Sequence, residues 1–210
     1  MLDFYLSPEG LPHLPEIRRL ALSNTTEADA IILQYAMEAI RLNGTFGSYR
    51  KCATTMTIND GEGRRVDVKS GDMVFCSFVS LTSSSPPFTT PSSSSSSSTN
   101  PCLCPPQVGA ARDPVIFPDP DKVKTDRPLT SYLHYGSGPH ACLGRDASQV
   151  ALTAMLKTVA KLKNLRRAPG PKGQLKKIPR PGGFYIFMRE DWGAFFPFPT
   201  SKSSLEYSEG

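Results

Sequence analysis

A mainly α fold with small β-sheets (α+β) is what three features of this sequence predict. They are two amphipathic helical patterns, short β-prone runs set between turn residues, and a glycine- and proline-rich loop directly before the second helix. The chain has 210 residues, 39% hydrophobic and 20% charged, which suits a globular chain with one core. Twenty prolines are many for one compact unit.

The first helical pattern runs from Asn24 to Gly44. Thr26 is placed to cap it, with Asp29 three residues on. Ile32, Tyr35, Ala36, Ala39 and Ile40 recur at helical spacing, and Gly44 stops the run. The runs "TFGSYRKCATTMTI" and "RRVDVKSGDMVFCSFV" follow, rich in Thr, Val and aromatics, with a Ser70-Gly71 turn inside the second. "ARDPVIFPDPDKVKTDRP" is dense in turn dipeptides and reads as an ordered meander. After the glycine loop, Ala147, Val150, Ala151, Ala154, Met155, Val159 and Leu162 mark a second helix that ends near Asn164. "APGPKGQ" reads as a turn, "GGFYIFM" as a short strand and "FFPFPT" as an extended aromatic tail, with the last residues frayed.

Residues 81–109 break this pattern, being nearly all Ser, Pro and Thr. Such a segment has too few apolar side chains to offset its ordering entropy, so it reads as a low-complexity insert. The chain is therefore expected in three parts: a helix with its strands (1–80), the insert (81–109), and a meander, loop, helix and terminal strands (110–210).

The formal charge of +5 owes much to Arg166, Arg167, Lys172, Lys176, Lys177 and Arg180, which read as a solvated connector. That reading argues against a nucleic-acid partner. No charged-then-apolar leader opens the sequence and no apolar run is long enough to span a bilayer, so the expected location is cytoplasmic or peripheral to intracellular membranes. The five cysteines, at 52, 76, 102, 104 and 142, form neither an even disulfide framework nor a zinc pattern.

Cys142 is the unusual one. It sits in "YGSGPHACLGRD", where glycines admit backbone angles other residues avoid and the following helix offers unpaired N–H groups to a sulfur anion. Three uses fit it. It is a nucleophile with His140 as base, an axial metal ligand under a flat cofactor, or a structural thiol in a turn.

The stretch Tyr135-Gly136-Ser137-Gly138-Pro139-His140-Ala141-Cys142-Leu143-Gly144 resembles the haem-binding loop of the cytochromes P-450, whose pattern is F-x-x-G-x-R-x-C-x-G. Gly138, Cys142 and Gly144 match, with Tyr135 in the Phe place and His140 in the Arg place. The resemblance implies the C-terminal, proximal part of the P-450 fold and a haem b whose iron takes Cys142 as axial thiolate. It further implies that Tyr135 shields the haem, and that Gly136, Gly138 and Gly144 let the backbone approach it. His140 would bond a propionate with a charge that depends on pH.

An E-x-x-R helix accompanies that loop in the family. The pattern occurs here at Glu16–Arg19, Glu38–Arg41 and Glu62–Arg65, and only Glu38–Arg41 lies on the strong amphipathic helix. By resemblance this pair anchors the meander, joined by Arg127 of "TDRP"; a surface ion pair is the rival reading. Arg50, in "LNGTFGSYRK", is by the same likeness a partner for a carboxylate or a haem propionate.

"LPEIRRLA", "FPDPDKVKTDRPL", "HYGSGPHACLGRD" and "NLRRAPGPKGQLKKIPRPGGFYIFM" carry a narrower resemblance, to the C-terminal part of the fungal fatty-acid diol synthases, or psi-factor-producing oxygenases. It implies an upstream peroxidase-like dioxygenase domain, a fatty-acid hydroperoxide as substrate, and isomerisation of that hydroperoxide to a diol without a reductase. The alternatives are a reductase-dependent monooxygenase or a non-catalytic product, because the resemblance begins shortly before the E-x-x-R helix and omits the distal side. In the family the strand before the insert runs almost directly into "AARDP". We therefore hypothesise that residues 81–109 are a translated intron; transcripts that keep the segment in frame would make it a genuine insertion.

Overall fold

The computed structural model describes residues 1–44, 47–59, 65–77, 110–180, 184–189, 195–196 and 205–208. The expected insert at 81–109, Cys102, Cys104 and Glu62 lie outside the described residues.

Three helices open the fold: α1 (Leu2–Tyr5), α2 (Leu14–Ser23) and α3 (Thr26–Asn43). The first two were not anticipated from periodicity, although Ile17, Leu20 and Ala21 form the buried face of α2. Asn24 ends α2 in the left-handed region at φ 54°, which asparagine tolerates. The chain thus re-enters helix one residue earlier than expected, and Thr25 rather than Thr26 is the cap. Its hydroxyl accepts the Ala28 N–H at 3.2 Å. The expected face of α3 is buried at Ile32, Tyr35, Ala36 and Ala39.

Strands β1 (Gly47–Lys51), β2 (Met56–Asn59), β3 (Arg65–Val68) and β4 (Met73–Ser77) form one long antiparallel ribbon. Gly47 pairs with Ser77, Lys51 with Met73, Met56 with Val68 and Asn59 with Arg65, so one register runs through both ladders. Cys52 bridges them, donating its N–H to the Asp72 carbonyl and accepting from the Gly71 N–H, both at 2.8 Å. The Ser70-Gly71 turn is present, with Gly71 at φ 95°, and the chain keeps its direction and register across it.

Turns and short 3-10 segments carry the chain from Ala110 to Gly144, and α4 (Arg145–Ala160) follows. Then come β5 (Lys163–Arg167), β6 (Leu175–Arg180), β7 (Phe184–Arg189), β8 (Phe195–Phe196) and β9 (Leu205–Ser208). Pairing is antiparallel throughout: β5 with β9, and β7 with both β6 and β8. Two expectations are corrected here. The basic connector contains strands β5 and β6, whose ladder bonds do not depend on side-chain polarity. The C-terminal residues expected to fray include β9, held on β5 and by the Arg166–Glu206 ion pair at 2.8 Å.

The core joins both ends of the sequence. Phe4, Tyr5, Ile17, Leu20, Ile32, Tyr35 and Ala36 pack with Leu156 and Ala160 of α4. Arg18 of α2 donates to the Leu162 carbonyl at 2.6 Å, just past the end of α4, where a cation complements the helix dipole. Lys157 meets Asp29 of α3 at 2.6 Å. The helix α4 rests on α2 and α3 through Leu152, Leu156 and Ala160, a stripe at four-residue spacing. Most of the face read from the sequence points elsewhere: Val150 is 71% exposed and Met155 59%. Apolar docking begins at Leu152, half-way along the helix. No helix among the described residues is long and apolar enough to cross a membrane.

Candidate functional site

Of the E-x-x-R pairs, Glu38–Arg41 is fully buried, whereas Glu16–Arg19 keeps side-chain exposures of 45% and 65%. A guanidinium carries five N–H donors, and burial demands that each find an acceptor. Arg41 meets that demand. Its Nε and Nη2 grip the Glu38 carboxylate at 2.8 and 2.9 Å. Nη1 donates to the carbonyls of Ala111 and Pro120 at 2.9 and 2.6 Å, and Nη2 also donates to that of Lys122 at 3.1 Å. One helix side chain thereby holds three points of the meander.

Glu38 is used as fully. Besides Arg41 it accepts the Lys124 N–H at 3.0 Å and the Tyr132 hydroxyl at 2.8 Å. Arg127 is buried beside it, with Nε 3.4 Å from Glu38 Oε1 but not aligned for a hydrogen bond, and its Nη2 donates to the Asp119 carbonyl at 3.1 Å. Both guanidinium groups lie over the Phe117 ring, at 4.9 Å for Arg41 and 5.5 Å for Arg127. Glu38, Arg41 and Arg127 thus meet in one place.

The chain then enters the glycine loop through "YLHY", in which Tyr132, His134 and Tyr135 are each pinned. Tyr132 is buried on Glu38, and burial together with that carboxylate pushes its phenol pKa upward. The His134 ring nitrogen Nε2 lies 3.3 Å from the Met37 carbonyl of α3, and desolvation pulls its pKa below the ordinary histidine value. Tyr135 packs against the cluster of Met37, Phe117 and Tyr132, and its hydroxyl donates to Ser148 Oγ at 3.1 Å. Tyr132, His134, Phe117 and Ser148 were missed by the sequence reading. The alternation of aromatics and histidine just before the loop was the signal available for the first two.

The loop itself is closed by the Cys142 N–H, which donates to the Tyr135 carbonyl at 2.8 Å. Gly136 and Gly138 make the closure possible at φ 69° and 67°, in the left-handed region that a side chain disfavours. Cys142 is a free, exposed thiol two residues before the Gly144 cap of α4. A Cβ on Gly144 would lie 3.8 Å from the Cys142 sulfur, so the glycine leaves that flank of the sulfur open. His140 is exposed in the 3-10 turn Gly138–His140, and Arg50 is exposed on β1 opposite Val74. A void of about 10 Å3, the room of roughly one water, lies among Arg41, Phe117, Leu133 and His134; Cys142 does not line it.

This donor set fits a haem iron. One soft sulfur is presented from an exposed residue of a closed loop, with a glycine two residues on and the backbone closed behind it.

No protein-family model matches the chain. It is 50% identical over 201 residues to a bifunctional dioxygenase (DOX)-epoxy alcohol synthase (EAS) of Pyricularia oryzae, covering 95% of this chain and 15% of that protein. It is 43% identical over 200 residues to psi-producing oxygenase A of Aspergillus fumigatus, covering 95% and 16%. The linoleate diol synthase of Gaeumannomyces graminis is 36% identical over 215 residues, covering 95% and 18%. The chain is homologous to the P-450-like C-terminal part of these fungal oxygenases. It spans less than a fifth of their length. Solved structures agree on the fold: CalO2 matches with a TM-score of 0.55 at 19% identity, covering 90% of this chain and 36% of that one. The P-450 StaH matches at 0.50 and 21%, covering 85% and 39%. The P-450 fold implies a haem iron as cofactor.

Proposed function

We propose that this chain forms the proximal side of a haem-thiolate site in a fatty-acid oxygenase, with Cys142 as the axial ligand of a haem b. The observation that carries the reading is the exposed Cys142 sulfur at the mouth of a loop closed by Tyr135, in a chain similar to the fungal oxygenases over 95% of its length.

When bound, the haem would supply cleavage of the O–O bond of a fatty-acid hydroperoxide, which thiolate donation favours. The chain's own residues hold and shape that site. Gly136 and Gly138 let the loop turn, the Tyr135 carbonyl fixes the Cys142 amide, and Gly144 keeps the sulfur accessible. Glu38, Arg41 and Arg127 hold the meander that leads into the loop. His140 and Arg50, both exposed, are the residues proposed to bond the haem propionates or a fatty-acid carboxylate. An upstream peroxidase-like dioxygenase domain would furnish the hydroperoxide in the whole protein. The rearranged product is a diol. A second reading, an epoxy alcohol, is favoured by 50% and 48% identity to two dioxygenase-epoxy alcohol synthases. A monooxygenase would instead consume a reduced cofactor through a reductase, and measuring that consumption separates the two classes.

The test is the spectrum of the purified chain with haem, reduced under carbon monoxide. A thiolate-type Soret band is expected, and Cys142→Ala is expected to remove it. A band that persists in Cys142→Ala would show another ligand.

A further inference from the structure

We propose that the hydrogen bond from the Tyr135 hydroxyl to Ser148 Oγ makes these two the positioning residues of the Cys142 loop, fixing the free half of α4 against α3. The inference rests on the reading of Cys142 as the haem ligand.

Three observations carry it. First, packing does not hold the loop, since Ser137 through His140 are exposed and Leu143 is fully so. Second, packing does not hold the first turns of α4 either. Ala147, Val150 and Ala151 are exposed, and the helix meets α2 and α3 from Leu152 onward, through Leu152, Leu156 and Ala160 and the polar contacts of Lys157 and Ala160. Third, Tyr135 reaches everything that needs to be joined. Its ring packs on Met37 of α3 and on Phe117 and Tyr132, its carbonyl accepts the Cys142 N–H at 2.8 Å, and its hydroxyl reaches Ser148, the fourth residue of α4, at 3.1 Å.

A loop whose ends are tied to one residue loses less entropy when its middle is ordered. The Tyr135 backbone anchors the cysteine, and the Tyr135 side chain anchors the helix that follows it. Removing the hydroxyl at either end leaves the ring in place but lets the first turns of α4 swing, and the sulfur with them. Ser148 touches neither the loop backbone nor Cys142 through its side chain among the described contacts, so its effect on the sulfur has to pass through Tyr135.

The experiment uses the full chain with Tyr135→Phe, Ser148→Ala, both together, and Ser148→Thr, and reads two quantities. The first is hydrogen exchange at the Cys142 amide without haem. Each single substitution is expected to speed it about fivefold, the factor that one neutral hydrogen bond of about 1 kcal/mol corresponds to. The pair is expected to do no more than either alone, and Ser148→Thr to restore the slow rate. The second is the share of thiolate-type Soret band in the reduced carbon monoxide complex, which is expected to fall in the same variants in favour of a neutral-thiol band. Exchange and spectrum both unchanged, or effects of the two substitutions that simply add, would overturn the positioning role. A thiolate-type band that survives Cys142→Ala would instead overturn the ligand reading on which the inference rests, whatever the exchange rates.

Discussion

Arg41 shows how far a single residue can organise a site. A buried ion pair stabilises little by itself, because desolvation offsets its attraction, but losing one partner strands the other charge. Arg41→Ala is expected to cost about 3–5 kcal/mol, read as a lower urea midpoint, because it strands the buried Glu38 carboxylate and leaves three meander carbonyls without their donor, and Glu38→Gln, which strands the buried Arg41 charge, is expected to cost a similar amount. Glu16→Gln, made in the exposed pair, is expected to leave that midpoint unchanged. Both pairs are legible in the sequence as E-x-x-R. What separates them is burial, and the sequence signals it only through the stronger apolar periodicity around Glu38.

At the scale of the element, the glycine loop and its lead-in give three predictions. Gly138 sits at φ 67° with open space around it, whereas Gly144 has an ordinary backbone and a neighbouring sulfur. Gly138→Ala is therefore expected to destabilise the chain by about 1–2 kcal/mol through backbone strain. Gly144→Ala is expected to leave stability unchanged but to weaken haem uptake, measured by titration, since its new methyl would lie in contact with the sulfur at 3.8 Å and cover that flank. The lead-in titrates. Burial holds the His134 pKa below its ordinary value, so the unfolded chain binds the proton more readily than the folded one. Its contribution to stability is complete above about pH 6.5 and is lost as pH falls below that value toward the depressed folded pKa. Arg41 disfavours its charged form, while the Met37 carbonyl and Glu38 favour it. Urea midpoints taken between about pH 7 and 5 should fall in the wild type, and the fall should flatten in His134→Gln.

Across the whole molecule, the apolar stripe on α4 is the feature the sequence misplaced. Leu143, Val150 and Met155 are exposed, a surface that soluble chains tend to keep small. Replacing Val150 and Met155 with Gln is expected to change folding stability by no more than about 0.5 kcal/mol while reducing binding of an apolar dye, because neither side chain contributes to the core. A larger loss of stability would mean that this face is covered in the folded chain.

The sequence by itself determined the mainly α character, α3 and its buried stripe, the residue types of the E-x-x-R pair and the glycine loop around Cys142. Helical and strand periods and left-handed glycine positions are local properties, written in adjacent residues. Only the tertiary structure decided which face of α4 docks and which backbone carbonyls Arg41 holds. It also decided that Thr25 caps α3, that a basic stretch pairs as β5 and β6, and that Tyr132, His134 and Tyr135 tie the loop to the helices. Those outcomes depend on what a residue meets from far along the chain. Tyr132 finds Glu38 across 94 positions and Arg41 finds Pro120 across 79, and no window of neighbouring residues contains such partners.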